Sequence, residues 1–135
     1  MSVEREKMAK ILIIDDQPYI RETVSEELGD EGYEVAVAAD VTSVEKDLVS
    51  TRPDLVLLDL YLEGMDGFKV LREIKVREPG LPVIIFTAYD SYLDDPRLAR
   101  ADGYVIKSAD FGELKRKIKD VLRQKQQSPP KGESG

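Results

Sequence analysis

Three stretches of this chain, Ile11–Ile14, Leu55–Leu58 and Val83–Phe86, are unbroken apolar runs that stop abruptly on polar residues. A strand covered on both faces reads this way, whereas a strand with one wet face alternates. The stops are Asp15-Asp16, Asp59 and Thr87. A buried strand cannot hold an unpaired carboxylate in its middle, so each stop marks a strand's carboxyl end. Tyr104–Ile106 repeats the pattern and ends in Lys107, while Tyr33–Ala38 alternates less cleanly, as an edge strand does.

Helical periodicity fills the intervals. Pro18 suits a first helical turn, and Ile20, Val24 and Leu28 then fall on one face until Gly29 and Gly32 end it. A second helix should turn Val41, Val44, Leu48 and Val49 inward and close at Pro53. Glu63, Gly64 and Gly67 are turn residues after the Asp59 strand, and from Asp66 the period returns with Phe68, Leu71 and Ile74 until Pro79-Gly80. The final helix buries Leu114, Ile118, Val121 and Leu122. Five strands alternating with helices specify an α/β fold: a parallel sheet wrapped on both faces, because parallel strands need crossover helices. Residues 9–124 are read as one domain, with residues 1–8 as a tail and 125–135, rich in polar residues, Pro and Gly, as a disordered tail.

The 135 residues include neither Cys nor His, which excludes disulfides, thiolate or imidazole metal sites and Ser-His-Asp hydrolysis. Any phospho-histidine chemistry must involve a partner's histidine. A formal net charge of -7 argues against direct nucleic-acid binding. The basic residues of the last helix, Lys115 to Lys125, read most simply as a solvated face. No apolar run is long enough to span a bilayer and no signal-peptide pattern opens the chain, so a cytoplasmic protein is expected.

In open doubly wound sheets, ligands bind beyond the carboxyl ends of the strands. Asp15-Asp16, Asp59, Thr87 and Lys107 all fall there, although each has a plain alternative: Asp16 as a helix N-cap, Thr87 as a turn residue, Lys107 as an exposed cation. Three convergent carboxylates repel one another and imply a cation among them. With only oxygen donors to hand, Mg²⁺ is favoured over softer metals, and phosphate is the natural ligand of such a site.

The IIDD corner, DLYLEGMDG, VIIFTAY and YVIK together make residues 9 to 124 resemble the receiver domain of two-component response regulators. The resemblance implies a flavodoxin-like strand order, 2-1-3-4-5. It implies that Asp59 is the phosphoacceptor, and that Asp15, Asp16, Asp59 and the Tyr61 backbone carbonyl hold Mg²⁺. Thr87 and Lys107 would bind phosphoryl oxygens, and Thr87 and Tyr104 would move together as the switch pair, with small Ala88 leaving room. Tyr61 and Tyr89 occupy positions that line the approach to the phosphoryl group and would modulate its hydrolysis. The expected phosphoryl donor is a histidine kinase or histidine phosphotransfer protein, and the output is a downstream protein target or an output domain missing from this sequence.

Two places depart from the family pattern. Ser108 follows Lys107 where receivers usually carry Pro, and Glu63 precedes Gly64 where many carry Pro. Between Thr87 and Lys107, Asp95 and Pro96 make a cap and first turn for a helix that can run only to about Arg100. Other functions weighed from the sequence are a small Mg²⁺-dependent phosphohydrolase, a receiver-like scaffold that is never phosphorylated, and a nucleotide- or flavin-binding module. The phosphohydrolase reading lacks a second acid at Tyr61, and the nucleotide reading lacks a Gly-rich loop after the first strand. Independent enzymatic turnover is not expected.

Overall fold

The computed structural model describes residues 9–39, 43–108 and 110–127. Val41, residues 1–8 and the end of the C-terminal tail lie outside them. Strands β1 (Lys10–Ile14), β2 (Glu34–Ala38), β3 (Leu55–Leu58), β6 (Val83–Thr87) and β7 (Gly103–Ile106) form one parallel sheet in the order β2-β1-β3-β6-β7. Renumbered over these five strands, the order is the expected 2-1-3-4-5. Helices α1 (Pro18–Asp30) and α4 (Gly112–Gln127) cover one face; α2 (Val44–Thr51) and α3 (Gly67–Arg77) cover the other.

The period of two along each strand divides the core. Leu12, Ile14, Val56, Leu58, Val83 and Ile85 pack with Leu48, Val70, Leu71 and Ile74. Ile11, Ile13, Leu55, Leu57, Ile84 and Phe86 pack with Val24, Leu28, Leu114 and Ile118. Each such side chain contributes about 1.5 to 3 kcal/mol by leaving water. That two-sided burial is why β1, β3 and β6 read as continuous apolar runs. β2, at the edge, has an exposed Val37 and only partly buried neighbours.

Several boundaries differ from the sequence reading. α1 runs through Gly29, and the left-handed turn falls on Gly32 at φ 99°. α2 is capped by Ser43, whose Oγ accepts from Lys46 N at 3.2 Å. Val49 does not point inward: it is 65% exposed, because it lies about 100° around the helix from buried Leu48. α4 extends to Gln127, past the point where polar composition suggested a tail. Tyr61–Leu62 (β4) and Met65–Asp66 (β5) form a small antiparallel hairpin that turns at Gly64, φ 75°. Asp66 then caps α3 by accepting from Phe68 N at 3.0 Å.

The β6-to-β7 connection carries a single 3₁₀ turn, Pro96–Leu98. Asp95 caps it as expected, accepting from Arg97 N at 2.8 Å, but no longer helix follows. Asp102 is needed a few residues on. Its Oδ2 accepts from Val83 N at 2.9 Å and pairs with buried Lys75 at 2.9 Å.

Candidate functional site

The strand register builds the site. Ile14 pairs with both Ala38 and Leu58, so β1 and β3 end level with each other. The ladder then continues one step into the polar residues: Asp15 N donates to Ala38 O and Asp59 N to Ile14 O, each at 3.1 Å. On the other side of β3, Thr87 ends β6, and its carbonyl accepts from Lys107 N at 2.7 Å. Four strands thus deliver Asp15, Asp59, Thr87 and Lys107 to one edge.

Their side chains are withdrawn from water. Asp15 is 1% exposed, Asp59 5% and Thr87 0%. Lys107 Nζ lies 2.7 Å from Asp15 Oδ2 and 3.1 Å from Asp59 Oδ2. The other carboxylate oxygens accept from the backbone: Asp15 Oδ1 from Gln17 N at 2.9 Å, Asp59 Oδ1 from Tyr61 N at 3.1 Å. Asp16 is not the helix cap; Gln17 holds that position without a side-chain bond. Asp16 Oδ2 instead accepts from Glu63 N at 2.7 Å, which fastens the β4–β5 hairpin beside the acids.

One carboxylate oxygen from each of Asp15, Asp16 and Asp59 lies within 4.8 Å of the others. Burial raises the Asp15 carboxyl above its ordinary value, with Lys107 and the Gln17 amide pulling the other way. Of the three acids, Lys107 pairs with Asp15 and Asp59, and the nearby Arg21 guanidinium donates to the Asp15 carbonyl at 2.9 Å rather than to a carboxylate. The donor set fits Mg²⁺: hard oxygens only, gathered within reach of one small ion that keeps waters on its open positions. Thr87 Oγ1, wholly buried, has no hydrogen-bond partner among the described residues. A buried hydroxyl without one costs about 1 to 3 kcal/mol, and a phosphoryl oxygen would supply the bond.

The predicted site residues therefore fall into two sets. Asp15, Asp16, Asp59 and Lys107 are in contact or close approach. Tyr104 stands apart from them: its ring packs on the α2/α3 side of the core, and its hydroxyl donates to Tyr89 O at 2.7 Å. The Lys107–Ser108 peptide is trans, and Lys107 reaches the acids without the proline. Tyr61 and Tyr89 meet edge to face, ring centroids 4.7 Å apart.

Two features were not read from the sequence. Gln17 Oε1 accepts from Lys107 Nζ at 2.8 Å, a third acceptor on the same ammonium. Its only sequence signal is adjacency to Asp16. Tyr92 extends the aromatic contact, 5.7 Å from Tyr61 and 5.3 Å from Phe68. Tyr92 is more than twenty residues from the other two rings, and no local pattern joins it to them.

Among the described residues no helix is long and apolar enough to cross a membrane. A profile of the response regulator receiver domain matches residues 11–119. Sporulation initiation phosphotransferase F of Bacillus subtilis is 36% identical over 115 residues, covering 84% of this chain and 93% of the relative. The probable transcriptional regulatory protein TcrX of Mycobacterium tuberculosis is also 36% identical over 115 residues, but only 49% of its length is covered. The chain spans about half the length of TcrX and of two further regulators it matches. Among solved structures, the response regulator TrrA of Thermotoga maritima in complex with Mg²⁺-BeF superposes with a TM-score of 0.80 at 41% identity, covering 84% of this chain and 99% of TrrA. TrrA in complex with the histidine kinase ThkA gives 0.79 at 42% identity, covering 85% and 99%. The strand order, the acidic corner and the matched profile agree, and the chain belongs to the response regulator receiver domain family.

Proposed function

We propose that Asp59 accepts a phosphoryl group from a partner's phospho-histidine and that the modification switches a protein-binding surface. The observation that carries this is the position of Asp59: 5% exposed at the end of β3, touching Lys107 and flanked by two further carboxylates. An Asp59 oxygen attacks phosphorus. The new O–P bond forms as the P–N bond to the donor imidazole breaks, and the imidazole leaves with the electron pair. Lys107 moves from the Asp59 carboxylate to the phosphoryl oxygens, and Thr87 Oγ1 donates its unused hydrogen bond to another.

Asp15, Asp16, Asp59 and the Tyr61 carbonyl are the proposed Mg²⁺ ligands, and the ion would neutralise charge on the transferring group. The metal assignment draws on the oxygen cluster and on the Mg²⁺-BeF complex of TrrA. A kinase partner is proposed by analogy with the TrrA–ThkA complex. Thr87 turning toward the phosphoryl group would release Tyr104 from the Tyr89 carbonyl, coupling the site to β7. We assign no independent turnover, since Tyr61 stands where a phosphohydrolase of this type needs an acid. The exchange is placed in the cytoplasm, and no direct nucleic-acid contact is assigned to this domain.

The test is intact-protein mass after incubation with acetyl phosphate. One Mg²⁺-dependent phosphoryl addition is expected, absent in Asp59→Asn; an addition that survives this substitution refutes the assignment. Tyr61 and Tyr89 are proposed to restrict the attacking water. Phosphoryl lifetimes in Tyr61→Asn and Tyr89→Ala should be shorter than in the parent protein, and equal decay removes that role.

A further inference from the structure

The crossover from β6 to β7 would ordinarily be packed by a helix, and here it has one 3₁₀ turn. It leaves Tyr89 55% exposed, in ring contact with Tyr61 at 42%. These are not isolated apolar residues. Tyr89, Tyr61, Tyr92 and Phe68 touch in sequence, at centroid separations of 4.7, 5.7 and 5.3 Å. Beneath the last three lies a groove of about 620 Å³ between the β4–β5 hairpin and the 3₁₀ turn, floored by Leu62 and Met65. Aromatic and apolar side chains gathered in one groove on a small domain mark an interaction site more often than scattered ones do.

Its rim is acidic. Asp16, Glu63 and Asp66 line the groove, and exposed Asp90 and Asp94 lie beyond it on the crossover. Among the described residues the one cation lining it, Arg97, is already engaged. Its guanidinium sits 3.7 Å above the Phe68 ring centroid and pairs with Asp95 at 2.8 Å. That contact displays the chemistry of the surface: a cation lies over an aromatic face while a carboxylate neutralises it at the edge. Tyr61, further along the groove beside Glu63, adds a second aromatic face next to a carboxylate.

We infer that this groove docks a basic, amphipathic segment of a partner protein, with apolar side chains on Met65, Phe68 and Tyr92 and Arg or Lys side chains over the exposed tyrosines. Asp16 belongs to both the groove and the acidic cluster, and the backbone N of Tyr61, which also lines the groove, donates to Asp59 Oδ1. The docked segment therefore ends beside Asp59. The inference stands on the groove itself and does not require that Asp59 be phosphorylated.

The test uses two synthetic 16-residue helical peptides with the same Leu/Trp face, one carrying Arg and Lys on its polar face and the other Glu. Binding to the full chain is followed by amide chemical shifts. The basic peptide should bind saturably and shift residues 61–68 and 89–97, and the acidic peptide should bind at least about tenfold more weakly. Tyr92→Ser should weaken the basic peptide about tenfold, and the exposed charge reversal Glu63→Lys several-fold, with circular dichroism unchanged. Equal binding of the two peptides, shifts confined to α1 or α4, or no saturable binding would overturn the inference. Shifts at 61–68 and 89–97 that grow with protein concentration alone would also overturn it, assigning the groove to a second copy of this chain. Running the series on Asp59→Asn separates the two readings, since docking persists there even if phosphoryl uptake does not.

Discussion

Each end of the sheet carries a lysine whose side chain is largely covered, and the two are treated differently. At the amino end, Lys75 on α3 donates to Asp102 Oδ2 at 2.9 Å and to Leu81 O at 2.8 Å, and the same Asp102 oxygen accepts from Val83 N. One cation meets one anion and each has further hydrogen bonds. At the carboxyl end, Lys107 is shared between two acids of a three-acid cluster, Asp15 is held above its ordinary pKa by burial, and Thr87 Oγ1 has no partner among the described residues. A balanced pair fastens α3 to the sheet and closes the turn into β7. The acidic cluster leaves charge and hydrogen-bonding capacity for something that arrives from outside. Local energetic conflict of this kind, in a fold otherwise consistent, is where function is expected.

The contrast can be broken most directly at the amino end. Lys75→Ala should lower stability by about 2 to 3 kcal/mol in urea titration, because it strips partners from Asp102 and Leu81 O; the partial exposure of Asp102 keeps the loss below that of a fully buried pair. A loss near zero would make the two ends equivalent. At the carboxyl end the sign reverses. Without Mg²⁺, Asp15→Asn should raise stability by about 1 kcal/mol, since it replaces a carboxylate that burial disfavours and relieves repulsion with Asp59. Millimolar Mg²⁺ should stabilise the parent protein and leave the variant nearly unchanged.

The pH dependence sharpens that result. The Asp15 carboxyl is raised above 3.8, so the folded protein binds its proton more tightly than the unfolded chain does. The parent protein is therefore relieved as pH falls through the window above 3.8, and the advantage of Asp15→Asn should shrink there. An advantage independent of pH would assign the effect to packing. The smallest expected change tests whether strain at the amino end is incidental. Arg52 caps α2 at φ 48°, and Arg52→Gly should stabilise by about 0.5 kcal/mol without affecting Mg²⁺ binding.

The parts legible in the sequence are those where one physical demand dominates. Two-sided burial writes itself as an apolar run, so β1, β3 and β6 could be read, and with them the polar residues at their ends. The Asp95-Pro96 cap was legible for the same local reason. Val49 was misplaced because an apolar pair on a short helix does not say which member faces the core. The β4–β5 hairpin has strands too short to show a period; it depends on Gly64 at positive φ and on the Asp16–Glu63 bond, a contact across 47 residues. Lys107 could be placed at an edge but not matched to Gln17, because that pairing depends on the β7 end coming to rest beside the start of α1. The aromatic chain needs the hairpin, α3 and the crossover to be assembled before it exists.

The placement of the tyrosines has an optical consequence. The chain has six tyrosines and no tryptophan. Tyr61, Tyr89 and Tyr92 lie in ring contact, and the hydroxyl of Tyr104 is bonded to the Tyr89 carbonyl. Tyrosine absorption near 280 nm therefore arises mostly around the acidic edge, with no indole to mask changes in it. The unmodified protein carries its own chromophore at the place where ions and partners would be titrated.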